Sequence, residues 1–116
     1  MQKVTIWHNP RCSKSRETLT LLQERDIEPA VVEYLKDAPS VADIEHALDL
    51  LGIEARDLMR DNEESYKRVH ADDPKLSRQQ LVKLMHEHPE LIQRPVVFAK
   101  GMARIGRPPE AVLEIL

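Results

Sequence analysis

The first 35 residues contain a strand, a helix and a second strand in succession, and this order constrains the fold more than any other feature of the chain. The run KVTIW (residues 3–7) is β-branched and aromatic and ends at a His-Asn-Pro turn, which is typical of a buried strand. Residues 13–25 contain no proline or glycine and carry an apolar stripe with helical spacing, and PAVVEYL (residues 29–35) returns to strand composition. Such a βαβ unit favours a right-handed crossover and a parallel sheet.

The middle of the chain predicts a helical insertion at about residues 40–90. Ser40 and Asp43 have the spacing of a capping box, and a helical apolar stripe (Val41, Ile44, Leu48 and Leu51) follows as far as Gly52. A second capping box, Ser77 with Gln80, opens another helix, which ends before Pro89. The charged segment between the two helices contains only sparse apolar anchors: Leu58, Met59, Tyr66 and Val69.

The C-terminal segment predicts a β-hairpin followed by a last helix. Residues 94–105 contain two short apolar runs on either side of Lys100-Gly101, and Pro108-Pro109 precedes EAVLEIL. The complete order, β, α, β, helical insertion, β, β, α, matches a thioredoxin-like α/β fold, in which a βαβ half and a ββα half share one sheet. We therefore expect residues 1–116 to form a single domain of this class, with Pro95 at the position where such folds keep a cis proline.

Charge and hydropathy narrow the classes of function. The chain has 17 Lys and Arg against 20 Asp and Glu, a net charge of -3, which does not favour nucleic-acid binding. No apolar run approaches the ~18 to 20 residues that span a bilayer, so we expect a soluble, cytoplasmic protein that binds neither nucleic acid nor a membrane. The single cysteine excludes an internal disulfide and thiolate-rich zinc sites. We expect no metal or tightly bound cofactor, and a redox role would need a thiol from another molecule.

Cys12 is the candidate nucleophile. It lies in HNPRCSKSR (residues 8–16), between the first strand and the first helix, where unpaired backbone N–H groups and the helix macrodipole favour an anion. Such a position, beside cationic groups, lowers a thiol pKa from about 8.5 to about 7 or below. A lone cysteine is otherwise often a buried structural residue, but its neighbours here suit an apolar site poorly: Asn9, Arg11, Ser13, Lys14 and Arg16. His8 is either a group that supports the thiolate or an ordinary loop histidine.

Three arginines outside this segment are candidates for anion binding: Arg60, Arg94 and Arg107. Each taken alone would ordinarily be a surface residue, but thioredoxin-like topology brings their segments towards the N-terminus of the first helix. A guanidinium group is permanently charged and can hold two oxygens of a tetrahedral oxyanion at once.

Four separated motifs, taken together, resemble one family. They are HNPRCSKSR (8–16), LMR (58–60), RPVV (94–97) and ARIGRPPEAVLEIL (103–116). In this order they are similar to the glutaredoxin-dependent arsenate reductases of bacteria and their short arsenate-reductase-like relatives, and the resemblance covers essentially the whole chain. Well-characterised members have CGTSR at the position of CSKSR. The CSKSR version resembles the short subgroup. The resemblance implies that Cys12 is the nucleophile, that Arg60, Arg94 and Arg107 hold the oxyanion, and that His8 supports the thiolate.

The activity implied by the resemblance is arsenate reduction. The Cys12 thiolate would attack arsenate, and glutathione followed by glutaredoxin would complete the reduction to arsenite. Two alternatives remain at this point: a glutathione-dependent thiol reductase with another substrate, and a protein-binding regulator that uses the helical insertion. Related regulators often keep a Cys-x-x-Cys pair, and Ser15 occupies the position of its second cysteine, so an intramolecular redox switch is excluded.

Overall fold

The described chain divides into two compact units. The computed structural model describes residues 3–116. One unit contains the chain up to Asp37 together with Arg94–Leu116, and the other is Ala38–Gln93. The first, the sheet unit, contains β1 (Thr5–His8), α1 (Ser13–Glu24), β2 (Ala30–Glu33), β3 (Val96–Ala99), β4 (Met102–Ile105) and a 3₁₀ helix at Pro109–Ile115.

The four strands form one mixed sheet in the order β2-β1-β3-β4. β1 pairs in parallel with β2, and its register runs from Thr5 opposite Ala30 to His8 opposite Glu33. The pairs β1–β3 and β3–β4 are antiparallel. The parallel βαβ half and the hairpin therefore confirm the predicted thioredoxin-like α/β arrangement.

Alternate strand residues form the core of the sheet unit. Successive side chains of a strand point to opposite faces, so one face of β1 and β3 meets α1 and the C-terminal 3₁₀ helix. The buried cluster consists of Val4, Ile6, Leu22, Val97, Ala99, Val112 and Ile115. On β1 and β3, the rings of Trp7 and Phe98 also contact each other, with centroids 5.0 Å apart. This packing fixes the end of β1, from which the chain enters the loop that carries Cys12.

The last helix differs from the sequence prediction in its type. Pro109–Ile115 is a 3₁₀ helix and not an α-helix. It follows a cis peptide bond before Pro108, and the peptide bond before Pro95 is also cis. The buried residues of the helix, Pro109, Val112 and Ile115, recur every third position. Three residues per turn places all three on one face of a 3₁₀ helix, which suits this spacing better than the 3.6-residue turn of an α-helix.

In the second unit, Ala38–Gln93, here called the helical unit, the two longer helices begin at the predicted capping boxes. α2 (Val41–Leu51) starts at the Ser40–Asp43 capping box and ends at Gly52, whose φ of 67° is left-handed. α4 (Arg78–Glu87) starts at the Ser77–Gln80 box. The two helices pack through a buried set of apolar side chains: Ile44, Ala47, Leu48, Leu81, Val82 and Met85. Val41, which the apolar stripe included, lies exposed in the first turn.

The charged segment between α2 and α4 contains elements that the sequence pattern did not predict. They are a 3₁₀ helix at Ala55–Leu58 and the five-residue α3 (Glu64–Arg68), and a further 3₁₀ helix, Pro89–Leu91, follows α4. The Arg56 guanidinium donates to the Tyr66 hydroxyl and to the carbonyl oxygens of Ala71 and Asp73. These hydrogen bonds hold the segment in a defined conformation, although its sequence has little apolar periodicity. Among residues 3–116, no helix is both long and apolar enough to cross a membrane.

Candidate active site

Cys12 occupies the N-cap position of α1. Its backbone is extended, with φ -92° and ψ 125°, and its side chain is half-buried. The Cys12 N–H donates to the Asn9 carbonyl at 3.0 Å, and the Cys12 carbonyl accepts from the Arg16 N–H at 3.0 Å. The chain thus turns tightly from the end of β1 into the first helical turn, and the sulfur lies where sequence reasoning predicted it, at the helix N-terminus.

The first turn of α1 places two free backbone N–H groups close to Cys12. The N–H groups of Lys14 and Ser15 both act to lower the pKa of the Cys12 thiol. These groups have no partner within the helix because the first four N–H groups of an α-helix never do. They also carry the positive end of the macrodipole. The turn therefore binds a thiolate better than a neutral thiol.

Two of the predicted arginines reach the same sulfur. The Arg94 side chain hydrogen-bonds to Cys12 and stands directly before Pro95 and β3. Arg107 Nη2 lies 3.6 Å from Cys12 Sγ, and Arg107 Nε donates to the Arg94 carbonyl at 2.8 Å. Both guanidinium groups are close enough to share an anion with the sulfur.

The pKa of Cys12 is lower than that of an ordinary thiol. Burial of the sulfur raises the pKa, since it disfavours the charged form. The backbone N–H of Ser15, the Arg94 guanidinium and the backbone N–H of Lys14 act in the opposite direction and together outweigh burial. The net direction is below the ordinary thiol value, so the thiolate fraction near neutral pH exceeds that of an ordinary cysteine.

His8 contacts the thiol loop through a serine. The imidazole is buried at the end of β1, and its Nδ1 lies 2.6 Å from Ser15 Oγ. Burial lowers the pKa of His8; Glu33 opposes this effect, and Arg16 adds to it. A histidine with a lowered pKa is neutral at neutral pH, so it contributes a hydrogen bond and no charge.

Arg60 belongs to the helical unit. It follows the Ala55–Leu58 3₁₀ helix, and its N–H donates to the Leu91 carbonyl at 2.7 Å. Its side chain is 14% exposed and its Nε donates to Glu63 Oε1 at 3.1 Å. The role of Arg60 as a third oxyanion ligand stays a prediction from the family resemblance.

Two residues that sequence reasoning left without a role also build the site. Ser15, which was considered only as the place of a missing second cysteine, is fully buried and joins His8 to α1. Gly106 has no room for a side chain, because a Cβ there would lie 2.6 Å from Thr18 Oγ1 and 2.8 Å from Pro95 Cγ. The sequence feature that could have identified Gly106 is its position between the last predicted strand and Arg107-Pro108. The signal for Ser15 was its position in the first helical turn, three residues after the cysteine.

Comparisons with known proteins agree with one another over nearly the full chain. A model of the ArsC family matches residues 7–115. The protein YfgD of Escherichia coli (strain K12), described as uncharacterized, is 51% identical over 116 residues, which are 99% of this chain and 98% of that protein. An arsenate reductase of Haemophilus influenzae is 47% identical over 114 residues, with 97% and 98% coverage. The solved structure of an arsenate reductase from Vibrio cholerae matches with a TM-score of 0.97 and 51% identity, covering 99% of this chain and 98% of the other.

Proposed function

The chain belongs to the ArsC family, and from this membership we propose that it is an arsenate reductase whose nucleophile is the Cys12 thiolate. The observation that carries the proposal is the environment of Cys12. Its sulfur lies at the N-terminus of α1 and is contacted by the Arg94 and Arg107 side chains. The relatives from Haemophilus influenzae and Neisseria meningitidis that bear the name arsenate reductase support the choice of substrate.

Electrostatic repulsion explains why such a reaction needs the arginines. Arsenate near neutral pH carries, by analogy with phosphate, about -1.5 to -2 charges. At about 4 Å and an effective dielectric constant of 20, the thiolate and this anion repel each other by roughly 6 to 8 kcal/mol. Arg94 and Arg107 already contact the sulfur and would offset part of this energy. We propose Arg60 as the third guanidinium group that binds the arsenate.

The first step forms a bond between Cys12 Sγ and arsenic. The sulfur supplies the electron pair, and one arsenate oxygen leaves as water after it takes up two protons. Arsenic remains As(V) in this thiol ester. The guanidinium groups hold the remaining oxygens, whose charge would otherwise repel the incoming sulfur.

The second step is the reduction, and a glutathione thiolate supplies its electrons. That thiolate attacks Cys12 Sγ, and the electron pair of the S–As bond stays on arsenic, which leaves as As(III) in arsenite. Cys12 is left in a mixed disulfide with glutathione. A glutaredoxin thiolate then attacks the glutathione sulfur and releases the Cys12 thiolate.

An external thiol is required because the chain has one cysteine. No second thiol of the same chain can resolve a bond to Cys12. Glutathione keeps thiols reduced in the cytosol, and we therefore propose that the cycle runs in the cytoplasm.

The test is a coupled assay of arsenate reduction with glutathione, glutaredoxin and an NADPH-dependent glutathione reductase. The wild-type protein is expected to consume NADPH in proportion to arsenate, whereas Cys12→Ser is expected to have no activity above the background. Arsenate-independent turnover with other disulfides would instead favour a thiol reductase with another substrate. A wild-type rate equal to that of Cys12→Ser would refute the proposal.

A further inference from the structure

A buried serine joins His8 to the turn that carries Cys12. Ser15 Oγ lies 2.6 Å from His8 Nδ1 and accepts a hydrogen bond from the Asn9 N–H at 3.0 Å. Ser15 is in the first turn of α1, three residues after Cys12 at the N-cap, and its backbone N–H lowers the pKa of Cys12. We propose that Ser15 is a positioning residue through which His8 acts on Cys12: the hydroxyl fixes the first turn of α1 against β1, and the turn aims its N–H groups at the sulfur. The inference rests on the proposed function only in treating the Cys12 thiolate as the reactive group.

The hydrogen bonds of the Ser15 hydroxyl tie the first turn of α1 to the end of β1. The Ser15 side chain is fully buried, so its hydroxyl exchanges no partner with solvent. The Cys12 N–H donates to the Asn9 carbonyl, while the Asn9 N–H donates to Ser15 Oγ. One peptide segment at the end of β1 is thereby bound to both ends of the turn. Loss of the hydroxyl would leave buried polar groups of His8 and Asn9 unpaired, and such groups relax towards other partners.

The charge state of His8 favours an indirect effect. Burial lowers the pKa of His8, and the guanidinium of Arg16 on α1 lowers it further, against Glu33 on β2. A neutral imidazole cannot stabilise a thiolate by its own charge. Its support therefore passes through the hydrogen bond to Ser15.

The charged side chains that contact Cys12 are unchanged by substitutions at His8 or Ser15. They are the guanidinium groups of Arg94, before β3, and Arg107, after β4. A change in thiol reactivity after Ser15→Ala would therefore report a change in the aim of the first helical turn. If Ser15 only fills space, the substitution would alter thermal stability and leave the pH profile of the thiol unchanged.

The experiment measures the rate at which iodoacetamide alkylates Cys12 in the full-length protein from pH 5 to 10, without arsenate or glutathione. The variants are Ser15→Ala, His8→Ala, His8→Asn and the double variant His8→Ala/Ser15→Ala. Ser13→Ala serves as the matched control, since Ser13 is an exposed serine in the same turn. Thermal melting of each variant separates folding from reactivity.

We expect Ser15→Ala and His8→Ala each to alkylate at least ~3-fold more slowly than wild type at pH 7, with the midpoint moved to higher pH. His8→Asn is expected to stay within about 2-fold of wild type, because an asparagine amide can replace the hydrogen bond of Nδ1. The double variant should be no more than ~1.5-fold slower than the slower single variant, since two residues in one chain of contacts do not act additively. Ser13→Ala should match wild type.

Three results would overturn the inference: a wild-type profile for Ser15→Ala, His8→Asn as slow as His8→Ala, or rate losses that multiply in the double variant. If Ser15→Ala does not fold, the comparison of His8→Asn with His8→Ala decides. The outcome is independent of arsenate. The inference can fail while wild type still reduces arsenate, and it can hold for a protein that does not.

Discussion

Cys12 combines a partly buried sulfur with several positively polarised contacts. Burial raises its pKa, and the Ser15 N–H, the Arg94 guanidinium and the Lys14 N–H lower it by more. A stronger charge close to the sulfur would lower the pKa further but would also weaken the thiolate as a nucleophile, because nucleophilicity falls with pKa. Contacts from backbone dipoles together with two side chains are therefore well suited to a thiol that must attack an anion.

The arginines that contact Cys12 are expected to act on the substrate as well as on the sulfur. Arg94→Ala and Arg107→Ala should each lower kcat/KM for arsenate by at least ~10-fold, which corresponds to roughly 1.4 kcal/mol. Arg60→Ala is expected to have an effect of the same size, because the family resemblance implies that Arg60 is the third oxyanion ligand. Lysine at these positions should restore activity only partly, because it keeps the charge and loses the two-pronged donor geometry.

Arg25 is the matched control for these variants. It is an exposed arginine at the C-cap of α1, the end opposite Cys12. Arg25→Ala should have wild-type steady-state kinetics. If folded Arg94→Ala and Arg107→Ala also had wild-type kinetics, the anion would have to bind elsewhere.

The lowered pKa of His8 has a consequence for stability in mild acid. Below about pH 6.5, the unfolded chain protonates this histidine while the folded chain keeps it neutral, so the unfolded state binds more protons. The free energy of unfolding must then fall as the pH decreases towards the folded-state pKa. We expect wild type to lose more stability than His8→Asn between pH 7.5 and 5.5, measured by urea unfolding. An equal loss in both proteins would show that His8 is not buried in its neutral form.

Gly106 links the hairpin to the active site by a close approach of the backbone. Its N–H donates to the Pro95 carbonyl at 2.9 Å, and a Cβ would lie within 2.8 Å of both Thr18 Oγ1 and Pro95 Cγ. Any side chain would push the strand end away from α1, and Arg107 follows directly in the chain. The absence of a side chain at position 106 therefore determines how closely Arg107 approaches the sulfur.

We expect Gly106→Ala to lower the free energy of unfolding by about 1 to 3 kcal/mol and to lower kcat/KM for arsenate. Gly101→Ala is the control, since Gly101 has open space around it and a φ of +71°. That substitution should cost about 1 to 2 kcal/mol of backbone strain and leave kcat/KM unchanged. Equal kinetic effects of the two substitutions would show that Gly106 does not position Arg107.

The elements that were predicted correctly carry local signals. They depend on residues within a few positions of one another, and such local patterns can be recognised in a sequence. Examples are both capping boxes, the left-handed Gly52 and the turn at Lys100-Gly101. The 3₁₀ type of the last helix and the short α3 were not predicted. The first is decided by packing against a distant sheet, and the second is stabilised by Arg56, ten residues from Tyr66. The Ser15–His8 contact likewise joins a helix to a strand and has no periodic signal.

The described site of the sheet unit is assembled from three segments that are far apart in the sequence. Cys12 follows β1, Arg94 precedes β3, and Arg107 follows β4, 95 positions from the cysteine. The antiparallel pairing of β3 with β1 and β4 brings these strand ends together. Because these residues are far apart in the sequence, their proximity could be predicted only from the expected thioredoxin-like topology. The distances between them come from the structure alone.

The central claim is that one thiolate, Cys12, carries the arsenate chemistry and is released by an external thiol. Mass spectrometry of the protein after a single turnover with arsenate and glutathione, in the absence of glutaredoxin, tests it most directly. We expect one glutathione per chain, attached at Cys12, in an amount that equals the arsenite formed, and none when arsenate is omitted. Arsenite formation without this adduct, or by Cys12→Ser, would contradict the claim.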